Sequence, residues 1–160
     1  MKVSIITVVY NGAATIASAV DSVVAQDHPD IEYIVIDGGS KDNTVDILKS
    51  YGDKIAVLVS EKDKGIYDAM NKGLACATGD VIGILNADDF YTDTDVISAV
   101  VAELTRTGKD SMIGDLIFVT PENLDHVVRF YSSEGFTLRK FEHGDMPPHP
   151  TFFVRREVYQ

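Results

Sequence analysis

A chain of 160 residues, 45% hydrophobic and 24% charged, has the length and make-up of one folded domain with a substantial core. Its 25 acids against 14 bases, a net charge of −11, exclude a nucleic-acid surface and disfavour any phosphate ligand that lacks a compensating cation or helix N-terminus. The single cysteine, Cys76, excludes an internal disulfide and a cysteine zinc site, and no apolar run approaches the roughly 20 residues that cross a bilayer. Val3 to Val9 is β-branched and apolar, a first strand that Tyr10-Asn11-Gly12 ends with turn chemistry. Ile16, Ala19, Val20, Val23 and Val24 then recur at helical spacing, predicting a helix that ends near His28-Pro29. Ile31 to Ile36 is the second strand, followed by Asp37-Gly38-Gly39-Ser40. Asp42 or Ser40 is placed to cap a helix through Leu48.

Ile55 to Val59 is the third strand, and Ile66, Ala69, Met70, Gly73, Leu74 and Ala77 mark a third helix, with Cys76 expected as a packed core thiol. Val81 to Leu85 is the fourth strand, and Ile97, Val100, Val101 and Leu104 mark a helix that Gly108 ends. This β-α alternation demands a mainly parallel sheet flanked by helices. Met112 to Val119 is expected as one further strand, Val127 to Tyr131 and Thr151 to Val154 as others, and Leu138 to His143 as a short helix. Met146-Pro147-Pro148-His149-Pro150 is a rigid loop, and a helix is expected to begin within 155–160.

The fourth strand runs straight into acid at Asn86-Ala87-Asp88-Asp89. Ligands of open α/β sheets bind at the carboxyl ends of such strands, and adjacent carboxylates there repel unless a cation or donor network compensates. A divalent metal bound by oxygen ligands fits; a solvated turn leading to the next helix fits the spacing equally. Residues past the first, second and fourth strands converge on the same edge. Asp37 there either accepts hydrogen bonds from a base or ribose or only shapes its Gly-Gly turn, and Tyr10 either stacks on a base or packs. No dinucleotide fingerprint and no P-loop occurs, and His28, His126, His143 and His149 lack zinc-type spacing.

Four segments carry a resemblance: Ser4 to Gly12, Ile36 to Thr44, Glu61 to Asn71 and Gly79 to Asp89. In this order and on these elements they resemble family 2 glycosyltransferases of the GT-A (Rossmann-like) fold. The chain is similar to bacterial enzymes that build polysaccharide, such as the colanic-acid type. The likeness implies one GT-A domain over 1–160, with a nucleotide-sugar part at 1–90 and an acceptor-side part at 91–160. It implies a nucleotide-diphosphate sugar donor, with Mg or Mn bridging the diphosphate, and inverting transfer to a saccharide or lipid-linked saccharide acceptor.

By position, Thr7, Tyr10 and Asn11 would line the nucleotide pocket and Asp37 would bind base or ribose. Lys64 and Asp68 would lie near the donor. Asn86, Asp88 and Asp89 would form the metal motif, whose first acid is Asn here. By pattern alone Asp68 is a solvated helix residue, and His149, which resembles a family histidine past the acceptor region, fits a loop role. Inverting members use a carboxylate base that typically lies beyond the end of this chain at Gln160; Glu157 and Asp115 are the candidates within it.

The expectation is therefore a C-terminally shortened transferase with weak transfer, cytoplasmic or at the inner face of the membrane. Apolar surface near Phe152, Phe153 and Val158 would favour self-association. A nucleotide-sugar-binding module without turnover and a sugar nucleotidyltransferase are the alternatives. The second of these usually carries a Gly-rich basic loop after the first strand, where this chain has Tyr-Asn-Gly.

Overall fold

The computed structural model describes residues 1–144 and 146–159, leaving aside the side chains of Leu138 and Phe141. Strand β1 (Val3–Val9) pairs in parallel with β2 (Ile31–Asp37) on one side and β4 (Val81–Ile84) on the other. Strand β3 (Val57–Ser60) extends the sheet beyond β2. Every residue of β1 is buried, as expected of a central parallel strand covered on both faces. Helices α1 (Ile16–Val24), α2 (Thr44–Ser50), α3 (Ile66–Cys76) and α4 (Val96–Thr107) make the crossovers.

Strand alternation divides the core in two. Ile5, Val9, Tyr33 and Val35 pack with Ile16, Val20, Leu48, Ile97 and Leu104 of α1, α2 and α4. Ile6, Val8, Ile34 and Ile36 pack with Ala69 and Met70 of α3, against which Cys76 is half-buried. Gly73 lets α3 approach closely, because a Cβ there would collide with Ile6. α1 stops at Val24, one turn short of the expected end, and α4 closes on Gly108 in the left-handed region, φ 63°.

The strand order β3-β2-β1-β4 reverses direction between β1 and β4, so the switch-point crevice opens at the carboxyl ends of those two strands. The second half departs from the local reading. Met112 to Val119 is two strands, β5 (Ser111–Ile113) and β6 (Leu116–Thr120), divided at Gly114, whose N–H donates to the Thr151 carbonyl. β6 pairs with β7 (Asn123–Tyr131) in a separate hairpin, whereas β5 edges the main sheet. A short α5 (Leu138–Glu142) follows.

β8 (Phe152–Arg155) then inserts antiparallel between β4 and β5. Phe153 is thereby buried rather than exposed. It lies on Gly83, where a Cβ would come 2.6 Å from its ring, and it stacks with Tyr91 at 6.3 Å. The expected terminal helix is a 3₁₀ turn at Arg156–Val158, and Gln160 lies outside the described residues. Among the described residues no helix is long and apolar enough to cross a membrane.

Candidate active site

The loops after β1 and β2 are clasped together. Asn11, at φ 51°, donates its N–H to Ser40 Oγ at 2.7 Å, and its Oδ1 accepts from Lys41 N–H at 2.8 Å. Gly12 N–H donates to Thr44 Oγ1 at 2.9 Å and Ala13 N–H to Asp42 Oδ2 at 3.1 Å. Asp42 also accepts from the Thr44 hydroxyl at 2.5 Å and amide at 3.1 Å. The hydroxyl bond is the main cause that lowers its pKa, so it knits the loop instead of occupying the cap position, which falls to Asn43. Above this clasp Tyr10 stands 60% exposed, its ring free for stacking.

Asp37 lies at the same sheet edge but faces inward. Its buried carboxylate accepts from the amides of Gly39 and Ser40, each at 3.1 Å, from the Ser60 hydroxyl at 2.7 Å, and from the Ser40 hydroxyl. Gly39 is demanded by its backbone conformation, whereas at Gly38 the Asp63 side chain would have to swing aside. A Cβ on Gly38 would sit 2.5 Å from Asp63 Oδ2, and Gly39 has φ +82°. Thr7 is fully buried in the core, where its hydroxyl meets Tyr33 Oη at 3.0 Å, since a strand covered on both faces hides its polar residue too.

At the end of β4, Asn86 Nδ2 donates to Asp89 Oδ2 at 3.0 Å and Asp89 N–H to the Asn86 carbonyl at 3.1 Å. Burial pushes the Asp89 carboxyl up. The Asn86 bond opposes that shift, the Asp88 charge adds to it, and nearby His149 opposes it. Asp88 itself is exposed. Two buried polar atoms here have no hydrogen-bond partner among the described residues: Asn86 Oδ1 and Tyr91 Oη. The acidic loop meets the first clasp at Gly12, where a Cβ would lie 3.7 Å from Ala87 Cβ.

Lys64 and Asp68 occupy the shoulder between β3 and α3. Asp68 Oδ2 accepts from the Lys64 amide at 3.1 Å, reaching back over the first turn of α3, and Lys72 Nζ lies 3.7 Å from it and 2.7 Å from Glu61. The Lys64 side chain is exposed. Asp115 lines a cavity that Asp88 and Asp89 also line. Bonds from the Ser133 amide and hydroxyl, both 2.8 Å, hold its carboxyl below the usual range.

Glu157 is remote from this edge. Its turn is bonded through the Arg156 amide to the Asp80 carbonyl at 2.9 Å, at the amino end of β4, because β8 runs antiparallel to that strand. It thus lies apart from the acidic loop, whereas the same direction brings His149 to Asp89. Sequence reasoning placed Ser40 at this edge without its bond to Asn11, and missed Ser60 and Tyr91. Only the serine after Gly-Gly carried a local signal, as turn chemistry.

Comparison with known proteins decides the family. The model described as "Glycosyl transferase family 2" matches residues 4–160. The chain belongs to glycosyl transferase family 2. An uncharacterized glycosyltransferase of Mycobacterium tuberculosis H37Rv is 37% identical over 153 residues, 94% of this chain and 57% of its own length. A PGL/p-HBAD biosynthesis glycosyltransferase of Mycobacterium bovis BCG is 35% identical over 118 residues, 71% of this chain and 46% of its own.

Among solved structures, S. aureus TarS 1-349 in complex with UDP-GlcNAc superposes with TM-score 0.79 at 21% identity, covering 99% of this chain and 46% of that one. The mannosyltransferase PcManGT of Pyrobaculum calidifontis, in complex with GDP-Man and Mn2+, gives 0.72 at 20%, covering 98% and 45%. These likenesses establish the GT-A fold expected from the sequence. The family 2 chain described here spans about half the length of the curated relatives it matches.

Proposed function

We propose that this chain binds a nucleotide-diphosphate sugar in the β1–β4 crevice and transfers its sugar, with inversion and with Mg or Mn, to a hydroxyl of a saccharide or lipid-linked acceptor. The observation that carries this reading is the buried Asn86 Oδ1, without a donor, beside the exposed Asp88 and the raised Asp89 at the carboxyl end of β4. An acceptor atom buried without a donor is costly, and a cation satisfies it.

The donor set fits the metal. Asn86 and Asp88 supply hard oxygen ligands, and Asp89 orients Asn86 through their hydrogen bond. Among the described residues no group of three or more acidic, His or Cys side chains is placed to hold a metal ion by itself. Mg is commonly held by one or two carboxylates with substrate phosphates completing its shell. When bound, the metal would offset the diphosphate charge against an acidic protein and stabilise the leaving group. The Asn11–Ser40 clasp shapes the nucleoside side and the exposed Tyr10 ring offers a base a stacking face.

Asp37 sets the turn that the nucleoside rests against. Asp68 and Lys64 flank the donor from the α3 shoulder. Asp115, held below the usual range by Ser133, accepts the hydrogen bond of the acceptor hydroxyl, takes its proton as that oxygen bonds to the sugar and the nucleoside diphosphate leaves, and passes the proton on to solvent. The lipid-linked acceptors in this reading place the chain in the cytoplasm, near a membrane face.

Calorimetry with UDP tests the donor site. Mn should tighten binding by about tenfold or more over EDTA, and Asp88→Ala should remove most of that gain, because a methyl group cannot replace a ligand carboxylate. Equal affinity with and without metal in the unsubstituted chain would overturn the metal-dependent reading.

A further inference from the structure

Tyr91 lies two residues past Asp89, on the loop that leads from β4 toward α4. Its side chain is 9% exposed, and its ring stacks on Phe153 of β8 with centroids 6.3 Å apart. Phe153 in turn lies on Gly83 of β4, so the ring is anchored through β8 to the main sheet. A side chain packed in this way does not turn aside without opening the core, and the hydroxyl at its end is a fixed post beneath the acidic loop.

That hydroxyl is buried and has no hydrogen-bond partner among the described residues. Burial pushes its pKa up, Tyr33 and then the Asp89 charge push it further, and so it keeps its proton and has it to donate. The Tyr33 hydroxyl is already bonded to Thr7 at 3.0 Å. Asp89 is the other acceptor at hand. Its Oδ2 takes Asn86 Nδ2 at 3.0 Å, and a carboxylate has lone pairs left for a second donor. A buried donor without an acceptor and a carboxylate raised by burial each cost free energy, and a bond between them relieves both.

We infer that Tyr91 is a positioning residue of the donor site: its hydroxyl donates to Asp89 when metal and nucleoside diphosphate bind, holding that carboxylate between Tyr91 and Asn86 and so fixing the Asn86 oxygen toward the metal. The inference rests on the metal-dependent donor reading and deepens it by naming what stiffens the ligand set. The direction of change follows from charge. In the free chain the Asp88 charge repels Asp89, and nothing offsets the cost of pressing Asp89 deeper. With a divalent ion at Asn86 and Asp88 that repulsion is offset, and Asp89 settles against the buried hydroxyl.

Tyr91→Phe tests this, because it removes one oxygen and keeps the ring on Phe153. The free variant should melt at the temperature of the unsubstituted chain or above it, since the lost hydroxyl had no partner. Its UDP affinity in EDTA should also be unchanged. Calorimetric titration of Mn into the UDP-loaded variant should show binding about tenfold weaker, the loss expected of a group that orients a metal ligand. In an Asp89→Ala background Tyr91→Phe should add no further loss, because both act through one bond.

Fluorine NMR gives a readout independent of affinity. Of the seven tyrosines, labelled as 3-fluorotyrosine, the signal missing from Tyr91→Phe belongs to Tyr91. Adding Mg to the UDP-loaded chain should move that signal, and the same addition to Asp89→Ala should leave it in place. A lowered melting temperature for free Tyr91→Phe would show a hydroxyl already bonded in the free chain and would overturn the inference. Unchanged Mn affinity, or an equal loss in the Asp89→Ala background, would overturn it too, while Mn-dependent UDP binding by the unsubstituted chain left the donor reading standing. UDP binding that ignores metal in the unsubstituted chain would overturn the donor reading and the inference with it.

Discussion

The two ends of the parallel sheet treat buried carboxylates in opposite ways. At the amino end, Glu32 of β2 accepts from Lys2 Nζ at 2.7 Å, Ser4 Oγ at 2.6 Å, Thr78 N–H at 2.7 Å and Thr78 Oγ1 at 2.6 Å. Burial alone would push its carboxyl up; the bonds from Lys2, Ser4 and Thr78 outweigh burial and hold it at about 2. At the carboxyl end, Asp89 is raised by burial, Asp88 adds to the repulsion, and Asn86 Oδ1 and Tyr91 Oη lack partners. One end uses its polar groups to hold β1, β2 and the approach to β4 together. The other keeps Asn86 Oδ1 unsatisfied at the switch point, where the proposed cation would satisfy it.

The sharpest way to break this contrast is Glu32→Ala. Removing the carboxylate leaves Lys2, Ser4 and Thr78 without their shared acceptor, and losing hydrogen bonds to a charged group costs about 2 kcal/mol. Urea unfolding should report that loss while UDP affinity, governed at the far end, stays unchanged. A loss under about 1 kcal/mol would mean that the amino end is an ordinary surface pair.

The pH dependence follows from the same shift. An acid whose folded pKa is depressed contributes stability that is fully present above its unfolded value, here near 4.5, and is lost as pH falls toward about 2. The unsubstituted chain should therefore weaken across that window, and Glu32→Gln should flatten this part of the profile.

Asp37 sharpens the comparison because it stands at the crevice end yet is bonded like Glu32. Asparagine there turns an NH2 toward a shell made entirely of donors, Gly39, Ser40 and Ser60. Asp37→Asn should cost about 2 kcal/mol of stability and also weaken UDP binding, since the turn it holds is clasped to Asn11. Weakened binding with an unchanged melting curve would return Asp37 to direct contact with the nucleoside; a lowered melting curve with unchanged binding would make it purely a turn former.

The four parallel strands and four crossover helices were legible in the sequence because each announces itself within ten or so residues, by apolar runs and by the recurrence of Ile16, Ala19, Val20 and Val23. The antiparallel half was not. β5 pairs with β8, Met112 with Phe153, across some forty residues, and nothing local marks that pairing or the break at Gly114 between two sheets. The place of the acidic motif at the sheet edge was legible. The division of labour within it was not.

Whether Thr7 is buried depends on both faces of β1 being covered, which a reading of one strand misses. Whether Glu157 reaches the site depends on the direction of β8, which only the pairing reveals. The orphaned Asn86 oxygen depends on which rotamer donates to Asp89, and that has no sequence signature.

Asp89→Asn makes the smallest change and tests the carboxyl end most directly. An acid whose folded pKa is raised penalises the fold while ionised. The penalty is present above the folded pKa and is relieved as pH falls through it. An amide at this position keeps an oxygen to accept from Asn86 Nδ2 and removes the charge that faces Asp88. The variant should therefore be more stable at neutral pH by about 0.5–1 kcal/mol, the size of other gains from relaxing functional sites, with the gain shrinking in acid. Mn-dependent UDP binding should weaken in the same protein, because Asn86 loses the charged partner that orients its free oxygen. Thermal melts at two pH values, paired with calorimetry, read both effects. A destabilised Asp89→Asn, or a stabilised one whose Mn dependence is intact, would place Asp89 with Glu32 among the carboxylates that hold the sheet together and would leave Asp88 to carry the metal alone.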